Sequence, residues 1–401
     1  MKLHKILADA VIQSLHAIFS ENKYADKVIE RVLKSNKKWG SRDRAFIAES
    51  VYDIVRNKRL LGFLCGIEGR EEHNLWQVFG AWYYLKYNKL PEGPEFKNMN
   101  AEVLEALRKK AESNRAIRYS VPDWMDQRCN AELGEGWEKE LKALNEPASV
   151  IIRANTLKTN ANRLKESLEK EGVETVFLSD TPDALQLKER KNLFGSPLFR
   201  EGWFEVQDAG SQWIARMLDV QPGQRIIDAC AGAGGKTLHL AALMQNKGHL
   251  IAMDVEEWKL NELKKRAKRA GAHNIETRLI EGTKTIKRLH ETADRLLLDV
   301  PCSGLGVLRR NPDAKWKIQP DFLDKLAVTQ RNILRSYSKM LKKGGMMVYA
   351  TCSILPSENE NQVRWFLEEQ KGAFELVGEK HCLPSREGYD GFYMALLKKI
   401  Q

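Results

Sequence analysis

The chain has 401 residues, more than a single hydrophobic core usually holds, so two or three domains are expected. Its formal net charge of +11 favours an anionic partner such as nucleic acid, although solubility would explain the charge equally well. The sequence has no run of roughly 18 apolar residues, the length that spans a membrane, and it lacks the apolar core of a signal peptide. These properties speak against a membrane protein, and we expect a cytoplasmic one.

The cysteine pattern speaks against a metal site, and none is expected. There is no Cys-x-x-Cys pair, so neither a zinc ribbon nor a thioredoxin-like site is predicted. In a reducing cytosol these residues are free thiols, and most free cysteines are simply small buried apolar residues. The six cysteines are Cys65, Cys129, Cys230, Cys302, Cys352 and Cys382.

Hydrophobic periodicity divides the chain into three predicted domains. Residues 1–125 have apolar side chains at helical spacing and no strand-like alternation, which indicates a small helical bundle. Residues 126–205 combine linker helices with short strands, which indicates a compact α+β subdomain. Residues 206–401 alternate strands with helices, which predicts a doubly wound α/β domain.

Short apolar runs in the last domain predict parallel strands that are buried on both faces. These strands lie at residues 226–228, 250–253, 296–298 and 346–349. A charged helix is predicted at 256–270, after the second strand. Near the end of the chain, a strand at 392–397 is expected beside a strand at 374–377.

A glycine-rich loop follows the first of these strands, where an open α/β sheet binds its ligand. Glycine lets the backbone approach a ligand closely, and the following helix offers free N–H groups. The loop is not a Walker loop, because Cys230 replaces the first glycine, and not a dinucleotide fingerprint, because Thr237 replaces the last one. The candidate ligand-binding residues are Cys230, Ala231, Gly232, Ala233, Gly234, Gly235 and Lys236.

An acidic residue, Asp254, ends the second strand. A carboxylate at this place can accept hydrogen bonds from ribose hydroxyl groups. Together with the glycine loop, Asp254 suggests an adenosine-containing ligand without a pyrophosphate. The alternative is a structural turn beside a surface acid.

Two cysteines lie at the ends of neighbouring predicted strands. Asp299 and Cys302 follow the strand at 296–298, and Cys352 follows the strand at 346–349. Since carboxyl ends of parallel strands meet at one edge, these side chains should share one site with the glycine loop. One cysteine alone is more often packing than catalysis, whereas two at adjacent strand ends favour chemistry.

Methylation of cytosine at carbon-5 is a reaction that uses such a pair. A thiolate that adds at carbon-6 makes carbon-5 nucleophilic, and a second cysteine can assist release of the product. Asp299 is placed to contact the nitrogen edge of the ring. A helix N-terminus stabilises a thiolate, and a capping-box pattern from Ser357 to Glu360 predicts one soon after Cys352.

Two other interpretations stay open at this point. In DNA cytosine methylation a Pro-Cys motif supplies the nucleophile, and Pro301-Cys302 fits that motif but leaves Cys352 without a role. A ribosome-assembly factor could keep the fold and lose catalysis. The presence of both cysteines and Asp299 argues against such an inactive protein.

A set of short motifs is spread over nearly the whole chain. They are residues 41–46, 206–212, 228–237, 299–304, 306–316, 349–353 and 390–393. In number, order and spacing they resemble the Nol/Nop/Sun family of RNA cytosine carbon-5 methyltransferases, and most of all its bacterial 16S ribosomal RNA branch. The resemblance implies an α/β fold with a class I, Rossmann-like methyltransferase sheet. It also implies an N-terminal all-α NusB-like RNA-binding domain and a small α+β RNA-recognition-like subdomain.

The resemblance assigns roles to the candidate residues. Cys352 matches the nucleophile of the family, Cys302 the cysteine that assists release, and Lys236 a lysine near the active site. Asp254 matches the ribose-binding acid and Asp299 the acid near both cofactor and base, while residues 230–236 match the cofactor loop. The implied cofactor is S-adenosylmethionine and the implied partner is RNA, most of all 16S ribosomal RNA. Transfer RNA and large-subunit RNA are substrates of sister branches and remain alternatives.

The chain departs from the family pattern in two places. The loop has Gly232-Ala233 where the family usually has Ala-Pro, which should loosen the turn without removing its N–H donors. Between the helix at 256–270 and the strand at 296–298, the family usually has an aspartate that contacts adenine. In this chain Glu281 stands near that place. The adenine contact is therefore left unassigned.

Basic residues in three places are candidates for RNA contact. Arg309 and Arg310 follow the Cys302 loop and could hold phosphates beside the target base. The basic face of the helix at 256–270 is interpreted as a solvated surface rather than an RNA site. A further candidate patch in the helical domain consists of Lys37, Lys38, Trp39, Arg42 and Arg44.

We expect the protein to be a monomer.

Overall fold

The computed structural model of the protein describes residues 4–401. Contacts divide the chain into two compact units. The first contains the residues up to Glu146 and the segment Leu308–Pro320, and the second contains Pro147–Val307 and Asp321–Gln401. Within the described residues, every helix is too short or too polar to cross a membrane.

The first unit is helical, as the sequence predicts for the N-terminal region. Its apolar positions at helical spacing are fully buried, as Val11 and Leu15 in the first helix and Val51 and Val55 in the third illustrate. The helices are α1 (Lys5–Phe19), α2 (Ala25–Ser35), α3 (Ser41–Arg56), α4 (Lys58–Leu64), α5 (Leu75–Tyr87), α6 (Ala101–Ala111), α7 (Arg115–Arg118), α8 (Asp123–Leu133) and α9 (Gly136–Leu144), with 3-10 turns at Glu71–Asn74 and Pro94–Phe96.

The second unit begins with a small antiparallel sheet in the order β2-β3-β1-β4. One helix of this segment buries Leu164 and Leu168 in the core that it shares with Ile152 and Phe204 of the sheet. The elements are β1 (Ile151–Ala154), α10 (Ala161–Lys170), β2 (Thr175–Leu178), β3 (Thr181–Leu187), α11 (Pro197–Arg200) and β4 (Phe204–Val206).

The rest of the second unit is built on a seven-stranded sheet in the order β10-β11-β9-β8-β5-β6-β7. The strands β7, β6, β5, β8 and β9 are parallel. β11 pairs antiparallel with β9, and the edge strand β10 pairs antiparallel with β11, so β10 runs in the same direction as the parallel strands. The elements from residue 209 onward, of which α16 belongs to the first unit, are α12 (Ala209–Met217), β5 (Arg225–Asp228), α13 (Gly235–Leu243), β6 (His249–Asp254), α14 (Glu257–Ala270), β7 (Ile275–Leu279), α15 (Thr283–Lys287), β8 (Ala293–Asp299), α16 (Ala314–Lys317), α17 (Pro320–Tyr337), β9 (Leu341–Thr351), α18 (Glu360–Glu369), β10 (Phe374–Cys382), α19 (Pro384–Glu387) and β11 (Phe392–Lys399), with 3-10 turns at Leu305–Val307 and Ser338–Met340.

Both faces of the large sheet are buried, which explains the continuous apolar runs in its central strands. Ile226 points to the side where α14 packs with Leu263, and its neighbour Ile227 points to the side where α17 packs with Leu334. This arrangement confirms the predicted Rossmann-like α/β fold. It also places the carboxyl ends of β5, β6, β8 and β9 at one edge, where ligands of such sheets bind.

The segment Leu308–Pro320, which we call the inserted segment, packs with the helical unit although it lies between β8 and β9 in sequence. The indole nitrogen of Trp316 donates to the carbonyl of Val55 at 2.7 Å, and Asp313 accepts from the backbone of Ala25 at 3.1 Å. Lys315 is 2% exposed, and burial followed by the nearby charge of Arg56 holds its pKa well below the ordinary value. The structural units therefore differ from the predicted domains: the first boundary lies at 146–147 and the stretch 206–401 is interrupted.

Candidate active site

The two cysteine loops meet at the ends of neighbouring strands. Asp299 in β8 pairs with Ala350 in β9, so the loops that follow these two residues start side by side. The sulfur atoms of Cys302 and Cys352 lie 3.2 Å apart, and the backbone nitrogen of Cys352 is 3.2 Å from the sulfur of Cys302. Both side chains are half-buried. The structure thus places the two predicted catalytic sulfurs in one site.

The surroundings of Cys302 favour its protonated form. Its contact with the sulfur of Cys352, together with burial and the charge of a Cys352 thiolate, raises the pKa of Cys302 well above the ordinary value. If one of the two sulfurs carries a negative charge, the other therefore keeps its proton and can donate a hydrogen bond to it. Cys302 is thus the member of the pair whose surroundings hold it as a thiol.

A charged pair stands beside the two sulfurs. The ammonium of Lys236, at the start of α13, donates to the carboxylate of Asp299 at 2.6 Å and lies 5.5 Å from the ring centre of Phe392. Burial disfavours the charged form of Lys236, but Asp299 outweighs it and the pKa of Lys236 is raised, with a contribution from a Cys352 thiolate. A permanent cation is thus held close to the proposed nucleophile.

A buried carboxylate that the sequence interpretation missed ties the two loops together. Glu358 is 1% exposed and accepts hydrogen bonds from both serines that follow the cysteines. One oxygen accepts from the backbone nitrogen of Ser303 at 2.8 Å and from the amide of Gln330 at 3.1 Å. The other accepts from the hydroxyls of Ser303 and Ser353, each at 2.5 Å. Glu358 therefore fixes the backbone on which each sulfur is carried.

The helix after Cys352 begins later than the capping-box pattern predicts. Helix α18 starts at Glu360, and Asn359 rather than Ser357 occupies its N-cap position. Ser357 lies in the preceding turn, and the Asn359 side chain bonds to Thr351 at 2.5 Å and to the carbonyl of Ser353 at 3.1 Å. The predicted capping box was wrong, because the polar side chains of this turn serve the Cys352 loop instead of the helix.

Two glycines pack backbone against backbone beneath the cysteine loops. Gly306 donates to the carbonyl of Cys352 at 3.0 Å and accepts from the nitrogen of Gly391 at 2.7 Å. A Cβ atom on Gly306 would lie 2.2 Å from the carbonyl oxygen of Gly391. One on Gly391 would lie 2.6 Å from a methyl group of Ile354. Only glycine at both positions allows this close approach.

The glycine-rich loop and Asp254 form the other part of the site. The carboxylate of Asp254 accepts from the backbone nitrogens of Gly232 and Glu256, each at 2.9 Å. Gly234 has a φ of 90° and a Cβ there would lie 2.5 Å from Leu263, which explains why glycine is required. A Cβ on Gly232 or on Gly235 would meet no atom within 4 Å, so this side of the loop is open to a ligand.

Asp228, at the end of β5, is a second buried acid close to the pair formed by Lys236 and Asp299. It is 1% exposed and accepts from the hydroxyl of Thr237 at 2.7 Å. Burial, opposed by the Thr237 hydrogen bond and assisted by the charge of Asp299, raises the pKa of Asp228 to about 7. Asp228 thus titrates near neutral pH at the base of the glycine loop.

The remaining candidate residues lie elsewhere. Cys230 lies in the loop, and burial raises its pKa well above the ordinary value, so it stays a thiol. Glu281 is exposed, after the end of β7. Arg309 is buried in the helical unit, where its carbonyl accepts from Arg56 at 3.1 Å, and Arg310 is half-buried. Burial of Arg309 does not favour the predicted phosphate contact. Residues 4–401 contain no cluster of side chains able to hold a metal ion.

The strand order, the glycine loop after β5 and the acid after β6 define a class I methyltransferase domain. Residues 215–398 match the family described as 16S rRNA methyltransferase RsmB/F, and residues 121–193 match its ferredoxin-like domain.

Similarity to individual proteins extends over the whole chain. A probable ribosomal RNA small subunit methyltransferase B from Synechocystis sp. is 32% identical over 96% of this chain and 97% of its own length. The crystal structure of PH0851 covers 100% of both chains with 26% identity and a TM-score of 0.86. A methyltransferase homologue from Pyrococcus horikoshii covers 72% of this chain and 98% of its own, with 27% identity and a TM-score of 0.64. The chain belongs to the RsmB/F family of rRNA methyltransferases, which confirms the resemblance seen in the sequence.

Proposed function

We propose that this protein transfers a methyl group from S-adenosylmethionine to carbon-5 of a cytosine in 16S ribosomal RNA, with Cys352 as the covalent nucleophile. The observation that carries the proposal is the 3.2 Å separation of the Cys302 and Cys352 sulfurs beside the Lys236–Asp299 pair. Two sulfurs at this distance can act on the same pyrimidine ring. A cytosine paired in a helix would have to be flipped out or already unpaired.

The glycine loop fits the proposed cofactor. Backbone N–H groups at the start of α13 and the open side of Gly232 and Gly235 suit a compact charged ligand. The carboxylate of Asp254 stands where ribose hydroxyls would bind. When bound, S-adenosylmethionine supplies an electrophilic methyl group on a sulfonium.

The first step is addition of the Cys352 thiolate to carbon-6 of cytosine. The new S–C6 bond pushes the electron pair of the C5–C6 double bond toward carbon-5. Carbon-5 would then bond to the methyl group while the bond from that methyl to the sulfonium breaks, with S-adenosylhomocysteine as the leaving group. Asp299 lies at the same strand-end edge and can contact the nitrogen edge of the ring as its charge develops. The Lys236 ammonium, held in place by Asp299, stabilises the thiolate before attack.

The second step needs a base that removes the carbon-5 proton so that the S–C6 bond can break. A Cys352 sulfur bonded to cytosine is a neutral thioether and can no longer hold a negative charge. The contacts that raise the pKa of Cys302, which come first from Cys352, then weaken. The Cys302 thiol therefore ionises more easily at the release step, when the carbon-5 proton has to be removed. Cys352 is then the thiolate in the first step and Cys302 in the second.

The substrate and setting follow from the family and the charge. The Synechocystis relative is described as acting on small-subunit ribosomal RNA, and the net charge of +11 suits a polyanion. We further expect a cytoplasmic monomer, with the helical region at residues 1–125 as an RNA-binding domain and the α+β segment at residues 126–205 as a separate subdomain.

The test is methyl transfer to 16S ribosomal RNA from labelled cofactor, followed by digestion to nucleosides. Label should appear in 5-methylcytidine with the native protein and disappear with Cys352→Ala. Cys302→Ala should slow release, so that a protein–RNA adduct accumulates and survives denaturing electrophoresis. An adduct formed by Cys352→Ala but not by Cys302→Ala would reverse the assignment. Label on transfer RNA or large-subunit RNA alone would change the substrate, and the absence of label on any RNA would indicate an inactive assembly factor.

A further inference from the structure

A groove of about 630 Å³ lies between α14 and the small sheet of the second unit. Five of its seven lining residues are basic and only one is acidic, so the groove carries a strong positive potential. The lining residues are Lys158, Arg200, Glu201, Trp203, Lys265, Lys268 and Arg269.

Two of these basic residues build the walls of the groove. The ammonium of Lys158 donates to the carbonyls of Glu201 at 2.6 Å and of Arg269 at 2.7 Å, so it joins the ends of α11 and α14. Arg269 donates to Glu205 at 2.5 Å, and its guanidinium lies 4.1 Å from the ring centre of Phe199. The groove is therefore held open by contacts of its own and does not depend on a ligand for its shape.

The other three cations are available to a ligand. Within residues 4–401, the side chains of Arg200 and Lys268 form no hydrogen bond or ion pair, and both are exposed. Lys265 is 77% exposed and has only a distant partner, Glu262 at 3.5 Å. The solvated face expected from the sequence of α14 is thus one wall of a concave, basic surface. Trp203 adds an aromatic ring, with Arg163 over it at 4.9 Å.

The position of the groove suits a strand that also reaches the active site. Helix α14 begins at Glu257, directly after the cofactor-side acid Asp254. With a rise of 1.5 Å per residue, Lys265 lies roughly 12 Å and Arg269 roughly 18 Å along the helix from that start. This distance corresponds to a few nucleotides.

We infer that this groove binds the phosphate backbone of the RNA strand that flanks the methylated cytosine. The inference rests on the proposed function for the identity of the RNA. Uncompensated arginine and lysine side chains are the groups that hold phosphates without reading sequence.

The test compares two triple variants that remove the same charge. Arg200→Gln, Lys265→Gln and Lys268→Gln are combined in the groove, and Lys287→Gln, Lys339→Gln and Lys343→Gln are combined as a control. The control lysines belong to elements on the opposite face of the sheet or at the start of β9, and all are exposed.

The measurement is the dissociation constant for a 16S ribosomal RNA transcript over a range of salt concentrations. Each single-strand phosphate contact contributes about 0.7 to the slope of log K against log salt, so three contacts should lower the slope by about 2. Measured from 1 M salt, a slope that is lower by about 2 makes the affinity of the groove variant at 0.1 M salt about 100-fold weaker than that of the native protein. The control should bind like the native protein, and cofactor affinity should stay unchanged in both.

The outcomes separate the two proposals. If the groove variant binds RNA with the affinity and salt slope of the control, the groove is not an RNA site, even when the native protein makes 5-methylcytidine. If the native protein methylates no RNA but the groove variant still loses affinity and slope, the groove is an RNA-binding surface, while the proposed function and the link between the groove and a methylated cytosine both fail.

Discussion

Replacement of Glu358 tests whether a buried carboxylate positions the two sulfurs. In Glu358→Ala, the backbone N–H of Ser303 loses its acceptor and the amide of Gln330 loses one of two acceptors, keeping the carbonyl of Pro301 at 3.1 Å. The two serine hydroxyls can rotate toward other partners. Buried groups left unpaired cost about 1–3 kcal/mol each, so the free energy of unfolding should fall by about 4 kcal/mol. In Glu358→Gln one oxygen remains as acceptor, and the loss should be about 1–2 kcal/mol.

Activity should fall with the same variants, because a displacement of about 1 Å at a reacting atom costs on the order of 100-fold in rate. We expect kcat/KM for methyl transfer to fall by about that factor in Glu358→Ala and by less than about 10-fold in Glu358→Gln. Urea unfolding and single-turnover methylation measure the two effects. The matched control is Glu368→Ala on the exposed face of α18, which should change stability by less than about 0.5 kcal/mol.

Two results would refute this reasoning in different ways. A Glu358→Ala protein as stable and active as the Glu368→Ala control would show that the carboxylate is unimportant. A protein that loses stability but methylates at the native rate per folded molecule would show that Glu358 supports the fold without positioning the sulfurs.

Three further predictions concern the same site. Gly306→Ala should reduce stability by about 1–3 kcal/mol and impair methylation, because its Cβ would lie 2.2 Å from a backbone oxygen, whereas Gly378→Ala, where nothing lies within 4 Å, should be tolerated. The Asp228 carboxyl, with a pKa of about 7 when folded, stays protonated in the folded protein and is ionised in the unfolded chain, so the native protein loses stability as pH rises from about 4 to 7. Asp228→Asn lacks this loss, and its free energy of unfolding should rise relative to that of the native protein by about 1.4 kcal/mol per pH unit. Hydrogen peroxide should join Cys302 and Cys352 in a disulfide, with release of water, since their sulfurs lie 3.2 Å apart, and activity should return with a reductant.

Each of these predictions has a result that contradicts it. Equal stability of the two glycine variants would show that the close backbone approach at Gly306 is relaxed at little cost. Parallel stability curves for Asp228→Asn and the native protein would mean that Asp228 does not titrate near neutral pH. Mass spectrometry that finds Cys302 and Cys352 still as thiols after inactivation by peroxide would place the oxidised group elsewhere.

The fold and the placement of the candidate catalytic residues were predictable because the large sheet is buried on both faces. Its strands therefore appear as apolar runs, and Asp254 and Asp299 mark the ends of β6 and β8. β7 was harder to identify, because this edge strand alternates polar and apolar residues and is only half-buried. The inserted segment could not be predicted, because its position between β8 and β9 gives no sign that Trp316 joins the core of the helical unit.

Glu358 escaped sequence interpretation for a physical reason. An acid just before a helix is usually a solvent-exposed capping residue, and the neighbouring Ser357 and Glu360 supported that interpretation. Its actual partners, Ser303 and Gln330, lie 55 and 28 residues away in the chain. One signal was present: a serine follows each of the two candidate catalytic cysteines, and each buried hydroxyl at that strand edge needs an acceptor, which one carboxylate can supply to both.

The inserted segment makes the helical unit inseparable from the catalytic fold. The chain enters this unit, leaves it near residue 146, returns at Leu308 and leaves again after Pro320. A truncation that removes the first 146 residues would expose Trp316 and Lys315 to water, because both side chains bond to residues of the removed part. It would also loosen the connection that follows the Cys302 loop. A catalytic fragment that folds alone would therefore have to be redesigned both at the cut near residue 146 and in the inserted segment. A lineage that loses the N-terminal helices would have to replace residues 308–320 at the same time.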